Sequence, residues 1–306
     1  MSSLQIWLRR LSNCLVPPEP PIPDVILGAH AGQFRELPDG AVVCIKLSAA
    51  HDLPYPFTVS GGFVRLVVGE ILAANPALRI QLTEGGVGRQ PVLDSALSSG
   101  LLDIPGAEFM DAESTGQVFV PNPLPTPRSA DGFWLPTHWL NADARVLLTT
   151  CKLRSHHFQR WYSGGARNLI GLLPRSRYQL SSSRRQMRSM VHQRGMDAMV
   201  ADLYATAGRD LLTILDGRYI ARQDEHLPLR FVRKAGHVLV ATDPYLADCE
   251  MARLLDLPFV PPYLELIAGG ASAKTKVIGD GAAAPPEEIA GGAPRKAIVS
   301  RDHLGG

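Results

Sequence analysis

The run Arg145–Cys151 is almost wholly apolar after its first residue. It has the length of a strand, and a strand without polar alternation must be covered on both faces. That requirement points to a parallel sheet with helices packed on either side. The flanking sequence agrees. Ala41–Leu47 and Leu78–Leu82 are strand candidates before it, and Leu211–Leu215, His237–Ala241 and Thr275–Ile278 follow it. Between the first two, Phe63, Val64, Val67, Ile71 and Leu72 recur at helical spacing behind Ser60, a capping residue. Pro91 starts a short helix that stops at Gly100, and Met187–Ala205 reads as helical. Asp243-Pro244 opens a helix through Leu255, with the aspartate as cap and the proline at the first helical position. The alternation predicts an α/β fold: a mainly parallel sheet with flanking helices.

Composition divides the chain in three. Residues 1–24 end in a proline-rich stretch and read as an arm or linker. Residues 25–281 read as a single α/β domain. Residues 282–306, rich in Ala, Gly, Pro and Glu, read as a disordered tail. The prolines at 121, 123, 125 and 127 mark a long surface loop or an interdomain crossing.

Charge is distributed unevenly. Between Asp143 and Asp197 there is no acidic residue, yet this stretch holds 11 of the 31 Lys and Arg. Elsewhere 20 basic residues face all 29 acids. A concentrated positive block attracts anions. Its aromatic residues are sparse and no nucleic-acid motif appears, which argues against nucleic acid as the partner. A basic helix over 182–206 is more often a solvated face.

The four cysteines are widely spaced and lack C-x-x-C, which argues against an iron–sulfur cluster and against a zinc ribbon. No metal ligands are assigned. Whether a metal is bound is left open, although Asp216 and Asp243 at strand ends could hold one, and the cofactor is unknown. The same cysteines suggest a reducing, cytoplasmic setting. The N-terminal residues lack a signal-peptide core, and no apolar run is long enough to span a membrane. Oligomeric state is left open.

Polar and cationic groups follow the buried strand directly, where open α/β sheets place ligands. Lys152, Arg154, His156, Arg167 and Asn168 fall in this segment, with Ser163-Gly164-Gly165 between them. Arginine offers forked donors to a carboxylate or phosphate, and histidine moves a proton near neutral pH. Taken singly, each arginine reads more readily as a residue of a solvated loop than as a ligand. Asp216-Gly217 and Thr242-Asp243 close two later strands; Asp216 suits either a turn or a functional carboxylate, and Asp243 a helix cap. Glu84-Gly85-Gly86-Val87-Gly88-Arg89 is glycine-rich after a strand but lacks phosphate-loop and dinucleotide spacing.

Several of these pieces together resemble the family called domain of unknown function 362. They are Cys151-Lys152-Leu153-Arg154-Ser155-His156 and Arg167-Asn168-Leu169-Ile170-Gly171. Val43-Cys-Ile-Lys-Leu47, Thr83-Glu84-Gly85, Asp202-Leu-Tyr, Leu212-Thr-Ile-Leu-Asp216-Gly217 and Thr242-Asp243-Pro244 with Asp248 are similar to further family pieces. Arg154 and Arg167 stand where the family carries lysine, which keeps charge but removes a titratable amine. Many relatives also have a ferredoxin-like cysteine segment that is missing here, so an iron–sulfur role does not carry over. The expectation is an enzyme acting on a small anionic substrate by proton transfer. His156, Lys152 and Asp216 would carry the chemistry, and Arg154, Arg167 and Asn168 would bind the anion. The alternatives are a non-catalytic ligand- or partner-binding protein, or nucleic-acid binding through the basic block.

Overall fold

The computed structural model describes residues 18–50, 53–86, 91–155, 160–180, 188–224, 230–257, 259–269 and 295–299. Its strands are β1 Val42–Lys46, β2 Arg79–Glu84, β3 Ala107–Asp111, β4 Gln117–Pro121, β5 Gly132–Pro136, β6 Ala144–Ser155, β7 Arg160–Ser163, β8 Leu212–Asp224, β9 Arg230–Ala241 and β10 Arg295–Val299. The main sheet runs in the order β10-β9-β8-β6-β1-β2-β3, with β7 added beside β6. Five of its pairings are parallel; β6–β7 and β8–β9 are antiparallel. The sheet is therefore mainly parallel and flanked by helices, as the sequence predicts.

Alternation along the strands separates two apolar layers. Val43, Ile45, Val146, Leu148 and Ile214 face one side. There α1 (Gly61–Ala74) covers them with Phe63, Val64, Val67, Val68 and Ile71, and Ser60 Oγ accepts from the Phe63 N–H at its start. On this side α2 (Val92–Ser98) follows Pro91 and ends before Gly100. Cys44, Leu147 and Leu215 face the other side. That layer holds the short turn α3 (Gly165–Asn168), then α4 (Met196–Leu203), α5 (Pro244–Leu254) and α6 (Pro262–Ile267). In α5, Asp243 is the cap, accepting from the Tyr245 N–H at 2.8 Å.

Three elements differ from the sequence reading. The helix expected over 187–205 is interrupted: Ser189–Gln193 stops at Gly195, whose φ of 89° is open to glycine but costly for other residues, and α4 starts afresh. The strand candidates near 211 and 237 are parts of a long hairpin, β8–β9, because register continues past a bulge at Gly217/Tyr219. The third is a separate two-stranded ribbon, β4–β5, that the sequence reading did not include; the proline-marked stretch after Pro121 is the loop that connects its strands. Asp202 anchors its return by accepting from the N–H groups of Arg128, Ser129 and Ala130.

Of the tail expected from Ala282, Arg295–Val299 pairs in parallel with β9; its other residues, and the strand expected at 275–278, lie outside the described residues. Among the described residues no helix is long and apolar enough to cross a membrane, and no group of three or more His, Cys, Asp or Glu is placed to hold a metal ion.

Candidate functional site

A charged side chain at the centre of a parallel sheet must be paired and hydrogen-bonded to stay there. Lys46 ends β1 and Glu84 ends β2, adjacent strands that run in parallel. Both side chains are buried, with Lys46 Nζ 2.7 Å from Glu84 Oε1. The ammonium also donates to Leu47 O at 2.6 Å and to Asn168 Oδ1 at 3.2 Å, so all three N–H bonds are engaged. Glu84 accepts in addition from the N–H groups of Ala49 at 2.8 Å and Gly85 at 2.9 Å. Burial pushes the Lys46 ammonium below its usual range, and the adjacent Glu84 charge pulls it back.

Two glycines let the backbone close over this pair. A Cβ on Gly171 would fall within 3.0 Å of both Lys46 Nζ and Glu84 Oε1. One on Gly85 would collide with Gly171 O and Arg188 Nη2. Arg188 extends the charged cluster: its Nε donates to Leu173 O, and its Nη2 donates to Gly171 O at 3.2 Å and lies 3.7 Å from Glu113. Glu113 also accepts from the N–H and Nε of Arg175, at 2.7 and 3.2 Å.

His138 adjoins the end of β2. Thr83 Oγ1 donates to Met110 O at 3.1 Å, so it accepts from His138 Nε2 at 2.8 Å. Nδ1 is then the unprotonated nitrogen, accepting from Thr115 Oγ1 at 2.9 Å. Burial pushes this imidazole down to about 4, against the pull of Asp111.

Of the residues expected from sequence, Lys152 and Asn168 converge on the 46–48 segment. Lys152 Nζ donates to Ser48 Oγ at 3.0 Å, and Asn168 Nδ2 donates to Leu47 O at 3.2 Å. The Arg167 charge favours the ionised forms of Asp197 on α4 and Tyr263 on α6. Arg154 has its backbone in β6 opposite Trp161, while its side chain and the whole of His156 lie outside the described residues.

Asp216 lies in the opposite layer. Its neighbour Arg218, stacked over Phe63 of α1, gives it Nε at 2.9 Å and Nη2 at 2.7 Å, and Tyr55 OH donates to it at 3.1 Å. Arg218 also reaches Pro20 O and Glu19, tying the arm to the sheet. Tyr55 lines a cavity of about 460 Å³ at the start of α1, together with Ser60, Gly61, Gly62 and Arg65. None of the site residues expected from sequence lines that cavity.

Lys46 and Glu84 were not singled out by the sequence as site residues. The available signal was a lysine closing an otherwise apolar strand, Val42-Val-Cys-Ile-Lys-Leu, and a glutamate closing the next. Asp248 is a further residue of this kind: it is buried on α5, and its oxygens accept from the N–H groups of Gly165 and Ala166.

Comparison with curated proteins gives no match. Among solved structures, the chain is similar to the lactate racemase apoprotein from Thermoanaerobacterium thermosaccharolyticum, with 14% identity and a TM-score of 0.40. The match covers 80% of this chain and 55% of that one, so the chain spans about half the length of that protein. A family model matches residues 43–253, a span that contains Lys46, Glu84, Lys152, Asn168, Asp216 and Asp248. The chain belongs to that family, described as Domain of unknown function (DUF362).

Proposed function

We propose that the protein is an enzyme that moves a proton on a small anionic substrate at the carboxyl ends of β1, β2 and β6. The observation that carries this reading is the fully buried Lys46–Glu84 pair at 2.7 Å. Burying two charges costs more than an apolar pair of similar size, so a fold needing only packing has no use for it. A lysine held below its usual range gives up its proton more readily than a free one, and a carboxylate beside it can take that proton. Lys152, half-buried and two residues from this pair through Ser48, supplies positive charge for an anion. Asn168 fixes the direction of the Lys46 ammonium. His156 and Arg154 follow Lys152 along the chain and complete the proposed set. Asp216, held by Arg218, acts from the opposite layer as a structural anchor.

One observation favours a non-catalytic anion-binding protein instead. All three Lys46 N–H bonds already have protein acceptors, as in a structural lysine. Metabolite turnover by the purified protein separates the two. The enzyme reading expects an anionic metabolite to be consumed, and the rate to fall roughly 100-fold or more in Glu84→Gln while the fold is kept. Saturable binding of an anion without any consumption would replace it by the binding reading.

A further inference from the structure

A four-residue helical turn cannot hold itself in water, because nucleation costs more than its few hydrogen bonds return. Yet α3, Gly165–Asn168, ends on the asparagine that orients Lys46. Its opening N–H groups have no partner within the turn. They are taken by Asp248, which accepts from Gly165 N–H at 2.6 Å and from Ala166 N–H at 2.9 Å. The same carboxylate accepts from Tyr263 OH at 2.9 Å and Tyr162 OH at 3.3 Å. Four donors on one fully buried carboxylate join α5, α6, β7 and α3. Gly164 makes the approach possible, since a Cβ there would fall within 3.0 Å of both Asp248 Oδ1 and the Tyr162 hydroxyl.

The geometry points to Asp248 as the positioning residue of the Lys46 site: it fixes the start of α3, α3 places Asn168, and Asn168 aims the Lys46 ammonium. The coupling is structural; its value to a reaction rests on the proton-transfer reading above. The chain of contacts is continuous. Asp248 holds the first two residues of the turn, the Asn168 N–H closes it on Gly164 O at 3.2 Å, and the Asn168 side chain bridges Lys46 Nζ and Leu47 O. Burial pushes the Asp248 carboxyl up to about 6, and its four donors pull it back, so the clamp is strongest while the group is charged.

The test reads Lys46 itself. In the full-length protein with 15N-labelled lysine, a buried and hydrogen-bonded ammonium exchanges slowly and gives its own side-chain resonance. Asn168→Ala is expected to move that resonance. Asp248→Asn, which turns an amide N–H toward donors that need an acceptor, is expected to move it with the same sign. Asp202→Asn is the control: it disturbs another buried aspartate that holds backbone N–H groups, those of Arg128 to Ala130, and is expected to leave Lys46 unmoved. If Asp248→Asn does not fold, Tyr263→Phe removes one donor of four and is expected to give a smaller shift of the same sign. A Lys46 signal that moves in Asn168→Ala but stays fixed in the folded Asp248 or Tyr263 variant would overturn the inference. A signal unmoved by Asn168→Ala would do so as well. None of these outcomes depends on turnover, so a failed search for substrate leaves them intact.

Discussion

Arg218 closes on Asp216 from two positions along the same strand, with Nε at 2.9 Å and Nη2 at 2.7 Å, and its guanidinium lies over the Tyr55 and Phe63 rings. Removing Asp216 leaves the buried Arg218 guanidinium with only the partly exposed Glu19 as counter-charge. Asp216→Ala is therefore expected to cost about 3–5 kcal/mol of stability. Urea unfolding measures it. A variant that keeps full stability but loses ligand binding would return Asp216 to the functional site.

The Lys46–Glu84 pair calls for a double-mutant cycle. Lys46→Met alone strands a buried carboxylate and is expected to cost about 3–5 kcal/mol. Adding Glu84→Gln removes the stranded charge and is expected to recover a large part of that loss. Denaturant unfolding of the two single variants and the double gives the coupling directly. Additive losses would show that the two groups do not act on one another.

His138 gives a pH dependence with a definite sign. The folded state holds the ring neutral, pushed down to about 4, whereas an unfolded histidine titrates near ~6.5. Protons therefore bind the unfolded chain more readily between these values. The contribution is fully present above the unfolded pKa and is lost as pH falls from ~6.5 toward ~4. Urea midpoints measured across that range are expected to fall less steeply in His138→Gln than in the parent protein.

Gly171→Ala tests the closeness of the backbone to the charged pair. The new methyl would crowd Lys46 Nζ and Glu84 Oε1, both fixed by several hydrogen bonds. Overpacking of this kind is expected to cost about 1–3 kcal/mol, read as a lower thermal midpoint. A neutral substitution would mean that the cluster has room to shift.

Sequence patterns reveal what depends on near neighbours. The apolar run after Arg145, the Ser60 cap and the Asp243-Pro244 start all mark real elements, because strand burial and capping are local requirements. The β8–β9 hairpin was legible only near the sheet centre. Beyond the bulge its residues carry charges that resemble a loop. The site divides in the same way. Lys152 and Asn168 stand in the motif after β6 and do meet the loop after β1. Arg167, next to Asn168 in sequence, adds positive charge that is felt by Asp197 on α4 and Tyr263 on α6. Lys46, Glu84 and Asp248 gain their meaning from partners 38 to 122 residues away, and no window of the sequence contains both ends of those contacts.

The pairing of β1 with β6 sets an order of assembly. Val43 lies opposite Ala144, and the Val42 N–H reaches the Asp143 carboxylate across 101 residues of chain. Closing so long a loop is slow compared with zipping β8 onto β9, which lie close together along the chain. During synthesis the first strands leave the ribosome well before their central neighbour exists. Until β6 arrives, one edge of β1 has open backbone hydrogen-bonding groups, a template for mispairing with another chain. The middle of the polypeptide thus governs when its beginning is safe.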